Sequence, residues 1–416
     1  MTTAGPRKAA LFFILVTVAL DVLALGMIIP VLPKLVVAFN GGDAAKAAIV
    51  FGLFVTVWEA MQLVFSPVLG ALSDRFGRRP VILLSNLGLG LDYVMMALAP
   101  SLTILLVGRV VSGITAASFS AAGAYIADVM PPEKRAAGFG MIGAAFGVGF
   151  VVGPALGGVL GKVDPRLPFW VAAGLSLANA TYGAVVLPES LPPDKRMPFS
   201  LRRANPLGAF ALLRRNRQLT GLAAAVFTAN LAHFVLQSTF VLYTAYRYRW
   251  DEREVGLVLG GVGVCSAIVQ GGLIRPVVSR FGERGALMFG LACGAAGFAI
   301  YGLASTPLTF ALGVPVMSLW GLSGPAAQQL MTKRIGPSEQ GQLQGALSSL
   351  VAIAGIVGPP LFTRTFAWAI AEERSLKVPG APFLVSTALL VLTFFIVATT
   401  TRSPRDERDP DPAERS

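Results

Sequence analysis

Twelve long apolar stretches, separated by short polar ones, make up most of the chain: 9–37, 47–72, 80–99, 101–127, 135–160, 167–187, 219–246, 253–279, 285–304, 307–331, 340–366 and 380–400. About 20 apolar residues suffice to cross a bilayer as a helix. A lone strand in lipid would leave its backbone groups unsatisfied, so each run is predicted to be helical. The longest polar stretch, 188–218, holds Pro188, Pro192, Pro193, Pro198 and Pro206 with Lys195, Arg196, Arg202, Arg203, Arg214, Arg215 and Arg217. It is expected to link two six-helix bundles, 1–187 and 219–400, and to hold a short amphipathic helix near 206–215. The charged, proline-rich stretch 401–416 is expected to be a disordered tail. Arg7 and Lys8 before the first run resemble the start of a signal peptide. The run is long, however, carries Asp21, Pro30 and Pro33, and lacks a small-residue cleavage site, so it is expected to stay as the first helix.

Composition supports lipid as the main solvent. Of 416 residues, 54% are hydrophobic and 13% charged, with a mean hydropathy of +0.68, whereas soluble domains carry roughly 25% charged residues. Twelve spans and one linker use up the length, so no separate soluble domain is expected. The net charge of +12 does not point to nucleic acid, because the cations sit in short loops and not on one stripe. Of the 34 lysines and arginines, 22 fall on the side of the two termini and 10 on the other, with Arg109 and Arg275 in or near runs. The positive-inside rule then predicts cytoplasmic termini, linker and even-numbered loops. Cys265 and Cys293 lie in apolar runs and are expected to be buried free thiols. No metal-ligand spacing, cofactor motif or nucleophile–base cluster is recognised, which leaves an enzyme reading without support.

The two halves repeat at one offset. Arg75-Phe76-Gly77 recurs as Arg280-Phe281-Gly282, Pro132 as Pro337 and Gly153-Pro154 as Gly358-Pro359, each 205 positions on. Two parallel six-helix repeats are predicted, with a transport path between them. The second copy of the first motif is altered, with Ser279 answering Asp74 and Glu283 answering Arg78.

Between runs 2 and 3 lies Gly70-Ala71-Leu72-Ser73-Asp74-Arg75-Phe76-Gly77-Arg78-Arg79-Pro80, predicted to be a tight polar hairpin. Its pattern Gly-x-x-x-Asp-Arg-x-Gly-Arg-Arg resembles the loop between helices 2 and 3 of the major facilitator superfamily. The resemblance implies a gate built from Asp74, Arg75, Arg78, Arg79 and Asp128. In it Asp74 lies against the N-terminus of a helix from the other half, and Arg78 pairs with Asp128. A staple of loops with no part in switching remains the rival reading. Run 5 contains Gly149-Phe-Val-Val-Gly153-Pro154-Ala-Leu-Gly157-Gly158, which resembles the signature of antiporters in this superfamily. Plain close packing of small residues is the alternative.

Asp21 stands in run 1 within a stretch, through Pro30 and Pro33, that resembles the helix 1 motif of the twelve-helix drug/proton antiporters. An ionised carboxylate in lipid costs roughly 3 kcal/mol or more, so Asp21 is expected to face a cavity and exchange a proton. Glu59 and Asp92 are further buried acids. Asp92-Tyr93 follows the hairpin at the spacing of tetracycline pumps, while Glu59 belongs to no recognised pattern. Arg109, in Gly108-Arg109-Val-Val-Ser-Gly113, matches an arginine that tunes a carboxylate in such antiporters. A structural hydrogen bond or ion pair is the rival role for all four. Asn230, His233, Gln237, Gln270, Gln328 and Gln329 are neutral polar residues in apolar runs, expected to line a substrate cavity with Trp58, Phe227, Phe234 and Trp320. A single histidine there also fits a structural role.

Residues 14–190 resemble the tetracycline/proton efflux pumps nearly segment by segment, and the second half more loosely. Those pumps have a buried aspartate in helix 9 and a histidine in helix 8, where this chain has Gly294 and Ser266. The resemblance implies a monomeric antiporter of the bacterial cytoplasmic (inner) membrane that exports a small amphiphilic compound against protons, with no cofactor. An uptake carrier or facilitator for a metabolite is the alternative, and a membrane sensor or enzyme on the same scaffold is a third.

Overall fold

The computed structural model describes residues 4–116, 118–131, 135–199, 210–213, 217–336 and 339–401. Among them every regular element is helical: α1 (Ala4–Ile28), α2 (Leu32–Phe39), α3 (Ala44–Phe76), α4 (Arg78–Leu98), α5 (Leu102–Thr115), α6 (Ser118–Val129), α7 (Arg135–Val163), α8 (Leu167–Val186), α9 (Phe210–Leu213), α10 (Arg217–Tyr248), α11 (Glu252–Ile268), α12 (Ile274–Leu303), α13 (Pro307–Ser318), α14 (Ser323–Thr332), α15 (Gln340–Ile370) and α16 (Ala381–Thr400). The all-α, membrane-spanning class is thus the one read from the apolar runs. The amphipathic linker helix expected near 206–215 lies outside the described residues apart from α9, whose Leu212 and Leu213 are buried. The tail after residue 401 and the Pro132/Pro337 pair also lie outside them.

Several predicted runs are interrupted, each for a local reason. Run 1 breaks into α1 and α2 at Pro30, which lacks a donor, and Pro33 starts α2. Run 4 breaks between α5 and α6, where the Thr115 hydroxyl donates back to the carbonyls of Val111 and Ser112 at 2.9 and 3.4 Å. Such back-bonding bends helices. A π turn at Val269–Leu273 separates α11 from α12, and α12 itself turns at Gly282, where φ is 69°. A 3-10 turn at Leu319–Leu322 joins α13 to α14. The expected polar hairpin at 70–80 is almost entirely helical. α3 runs to Phe76, α4 starts at Arg78, and Gly77 alone, with φ of 107°, makes the turn. A positive φ suits glycine, which has no Cβ to clash.

The repeat is visible in three dimensions. Gly77 and Gly282 share the positive φ. Arg75 stacks over Phe76 at 5.1 Å, and Arg280 over Phe281 at 5.7 Å. α1 packs on α7 and α8, α4 on α8, and α3 on α5; in the later part α10 packs on α15 and α16, and α12 on α16. The two sets meet chiefly where α7 touches α11 and α3 touches α15. The two cysteines are free, as expected, but half-buried and not sealed in the core.

Small residues set the closest contacts. A Cβ at Gly149 would meet the Ala19 carbonyl at 2.8 Å, and one at Gly153 the Leu23 carbonyl at 2.7 Å. A Cβ at Gly157 would overlap the Met27 carbonyl, and at Gly158 the Glu252 carbonyl. α7 therefore rests on α1 along one stripe and on α11 along the next. Overpacking such a contact costs about 1–3 kcal/mol. Gly157→Leu is expected to lower the thermal midpoint of the detergent-solubilised protein and to abolish transport. Gly147→Ala, at a glycine with open space beside it, should change neither.

Candidate functional site

A cavity of about 1400 Å³ lies between the two helix sets. Its wall runs along α3 from Glu59 to Pro67 and along α15 from Ala352 back to Gln342, and the other later helices from α10 to α16, with the π and 3-10 turns between them, supply the rest. It therefore extends toward the face carrying the Gly77 turn, hereafter the basic face. It ends where α3 and α15 meet. There Gly52 lies against Thr363, and the Glu59 carboxylate lies 2.8 Å from where a Cβ on Gly355 would stand.

Asn230, His233, Gln270 and Gln328 line this cavity as expected, and Ser266 joins them. Gln270 sits in the π turn, a feature common at functional sites. Two expected residues do not line it. Gln237 lies one turn beyond His233, past the closed end, and Gln329 is rotated about 100° from Gln328 on α14; both are exposed. Trp320 lines the wall with its ring 5.3 Å from that of His233. Trp58, Phe227 and Phe234 do not reach it, Phe234 being buried against Gly355 and Gly358. Among the described lining residues Glu59 is the one charged group. The place of Gly294 is filled by Trp320, whose Cγ would lie 2.8 Å from a Cβ there.

The other acids of runs 1 and 3 are buried outside the cavity. Asp92 on α4 is fully buried and accepts from Arg109 Nη2 on α5 at 3.0 Å. Arg109 Nη2 also lies 3.2 Å from the Met96 sulfur. Asp21 is buried on α1. The structure thus pairs Asp92 with Arg109, buries Asp21 away from the cavity lining and leaves Glu59 to the cavity. A buried ion pair needs close geometry to offset desolvation, and the 3.0 Å contact supplies it.

At the basic face Arg78 is the hub. It donates to Asp74 at 2.6 Å, Asp128 at 3.1 Å and the Ser73 hydroxyl at 3.2 Å. Ser190 donates to the same Asp128 oxygen at 3.0 Å, and Arg79 donates to the Ala184 carbonyl at 2.5 Å. The helix N-terminus here is capped by a residue that the sequence reading missed. Glu189 accepts from the backbone of Arg78 at 2.8 Å and Arg79 at 3.3 Å, and sits beneath Gly77. Asp74 instead pairs within its own helix set, and its backbone carbonyl accepts from Met197 at 3.1 Å.

The opposite face carries a second charge cluster that the sequence reading treated only as loop charge. Lys34 donates to the Trp250 carbonyl at 2.8 Å and lies 3.4 Å from Glu252. Lys162 meets Asp251 at 2.8 Å. Both pairs join the earlier helix set to the later one. The Lys162 hydrogen bond, with backbone donors at the start of α11, holds the Asp251 carboxyl below its usual range.

The sequence pattern of the Major Facilitator Superfamily matches residues 14–359. The class C tetracycline resistance protein of Escherichia coli is 38% identical over 94% of this chain and 99% of its own length. The class G protein of Vibrio anguillarum is 36% identical over 87% and 91%. Among solved structures, the human organic anion transporter MFSD10 (TETRAN) superposes with a TM-score of 0.70 at 25% identity, over 94% of this chain and 99% of its own. A bacterial homologue of the lysosomal transporter Spinster gives 0.77 at 15% identity, over 99% and 100%. With a superfamily pattern over most of its length and curated relatives matched almost end to end, the chain belongs to the Major Facilitator Superfamily and is a relative of its tetracycline resistance proteins.

Proposed function

We propose that this protein is a proton-coupled antiporter that exports a small amphiphilic, drug-like compound by alternating access. The observation that carries this is the division of its acids. One carboxylate, Glu59, faces a large cavity between two helix sets, and Asp21 and Asp92, with Arg109, are buried beside it. The bundles 1–187 and 219–400 act as the two moving halves, with 188–218 linking them and 401–416 as a tail. The basic face is cytoplasmic, in a bacterial cytoplasmic membrane, and the protein works as a monomer with the proton gradient as its energy source.

Glu59 is the counter-charge for a cationic or hydrogen-bond-donating substrate, and Asn230, His233, Ser266, Gln270 and Gln328 orient its polar edges. Trp320 offers an aromatic face. The names of the curated relatives make tetracycline a compound to test, and the exchange of a helix 9 aspartate for Gly294 under Trp320 favours a changed specificity. Asp21, Asp92 and Arg109 hold the proton. At the cytoplasmic face Asp74, Arg75, Arg78, Arg79 and Asp128 form the gate that closes when the cavity turns outward. Lys34–Glu252 and Lys162–Asp251 form its outer counterpart.

Asp21→Asn should abolish substrate-driven proton release from everted vesicles while leaving expression and substrate binding intact. Normal coupled export by this variant would remove Asp21 from the proton path. Glu59→Gln should weaken binding of a lipophilic cation about 10- to 100-fold, the value of a hydrogen bond to a charged group, and leave a neutral compound such as chloramphenicol nearly unchanged. Equal effects on both would count against a charge role. Because its native pKa is depressed, the Asp251 pair persists at and above the ordinary carboxylate range and is lost only as pH falls below it. Asp251→Asn should therefore raise, at neutral pH, the reactivity of a thiol placed at the outer end of α11. With Asp251 kept, a spin label on that thiol should show the same opening only as pH falls below the ordinary carboxylate range.

A further inference from the structure

A row of packed aromatic rings runs through the later helix set, from the cavity wall to the face opposite the basic one. Trp320, which lines the cavity, has its ring 5.7 Å from that of Phe298, edge to face. Phe298 meets Tyr301, three positions on along α12, at 6.5 Å, and Tyr301 stacks on Phe310 of α13 at 4.2 Å. Phe310 in turn meets Trp250 at 5.6 Å, again edge to face. The three middle rings are buried. Little space is left for these rings to yield. The Trp320 ring fills the place of a Cβ on Gly294, and a Cβ on Gly313 would lie 2.9 Å from the Tyr301 ring. Interiors packed at this density have low compressibility and pass a displacement on. At the far end Arg249 turns the chain with φ of 58°, a conformation uncommon outside glycine. The Tyr248 hydroxyl donates to the Ala304 carbonyl at 2.9 Å and pins that turn to the end of α12. The turn presents the Trp250 carbonyl to Lys34 of the earlier set, which donates to it at 2.8 Å.

We propose that Phe298, Tyr301 and Phe310 are positioning residues that couple occupation of the cavity at Trp320 to release of the Lys34 contact on the opposite face. The inference rests on the antiport reading above, in which a loaded cavity must turn outward. A ligand seated against Trp320 fixes where that ring stands. With the space beside it filled, its position is set jointly with Phe298 and, through Tyr301 and Phe310, with Trp250. Trp250 carries the acceptor for Lys34, so a displaced Trp250 weakens a bond that joins the two helix sets. The Tyr243 hydroxyl holds the middle of the row in register, donating to the Tyr301 carbonyl at 2.9 Å. A leucine in place of Tyr301 would leave part of the ring's volume empty, and the neighbouring rings would lose the contacts that transmit a shift. Linkage makes the effect reciprocal: loosening the Lys34 contact tightens the ligand by the factor with which the ligand loosens the contact.

The test uses the full-length protein in nanodiscs, with tetraphenylphosphonium and tetracycline–Mg²⁺ as probes. Spin labels at Val163→Cys and Arg253→Cys, with Cys265→Ser and Cys293→Ser, report the gap between the helix sets. Both sites are exposed, at the ends of α7 and α11 away from the basic face. With the row of rings intact, a bound probe should raise the ratio of open to closed distances about 5- to 150-fold, the usual range of coupling between two sites. No binding, or binding without opening, for both probes overturns the alternating-access reading and this inference with it. Tyr301→Leu should still bind the probe but bring the factor close to one, and Tyr301→Phe, which keeps the ring, should retain it. Phe366→Leu removes an equally buried ring of α15 outside the row and should leave the factor unchanged. Lys34→Gln should tighten probe binding when the row is intact and not when it is combined with Tyr301→Leu. Full opening in Tyr301→Leu, or an equal loss of opening in Phe366→Leu, would overturn the coupling while alternating access stands. Where Tyr301→Leu does not fold, Trp250→Leu, in the turn between α10 and α11, is read in its place with the same expectation.

Discussion

α7 is held from two sides at backbone distance. Gly149, Gly153 and Gly157 press it onto α1 at Ala19, Leu23 and Met27, and Gly158, one position round the helix, presses it onto Glu252 and Gly256 of α11. Contacts between backbones have no side chains to unlock, so the same surfaces can slide or rock without repacking. The ion pairs from Lys34 and Lys162 stand at the end of this contact away from the basic face, and the cavity extends toward the other end. Partly exposed ion pairs contribute roughly 0–1 kcal/mol each. The face opposite the basic one is therefore held by a smooth interface and weak ion pairs, which suits the reversible step of the antiport cycle proposed above. At the basic face Asp74 and Asp128 are both paired with Arg78, Glu189 caps α4, and none of the contacts described there ties Asp74 to the other set.

The acids are sorted by the same geometry. α3 carries Glu59 along the seam between the sets, where its neighbours are Gly355 and Phe234. α4 turns Asp92 away from the seam and into contact with Arg109. A single carboxylate serving both substrate and proton would make the two compete directly. On the antiport reading proposed above, two sites need a connection, and α5, which packs on both α3 and α4, is the element between them.

Much of this was legible in the chain. Helices follow from apolar runs because lipid allows few other forms, and the 205-residue repeat returns as paired glycines of positive φ and paired arginine–phenylalanine stacks. What stayed hidden depends on which loops meet. Nothing local marks Glu189 as the cap of α4, since it stands 111 residues from Arg78. Lys34 and Glu252, or Lys162 and Asp251, are unremarkable charges until α2, α7 and α11 converge. Gln237 and Gln329 were read as cavity groups from polarity alone. Their exclusion comes from where α3 and α15 close the space and from helical phase, and neither is written in residue type.

Trp320 and Gly294 make one feature of two positions. The ring occupies the volume that a side chain at 294 would need, with Leu390 Cδ1 2.9 Å from a Cβ on the other side. An acid there could not be accommodated without moving the ring from its contacts with His233 and Phe298. The later helix set therefore gives the cavity an aromatic and neutral polar wall, and the earlier set gives it one carboxylate. A ligand that fits such a space is flat on one side and carries its positive charge or donors on the other. On the antiport reading proposed above, that asymmetry lays the ligand with its aromatic face to Trp320 and its polar edge to Glu59.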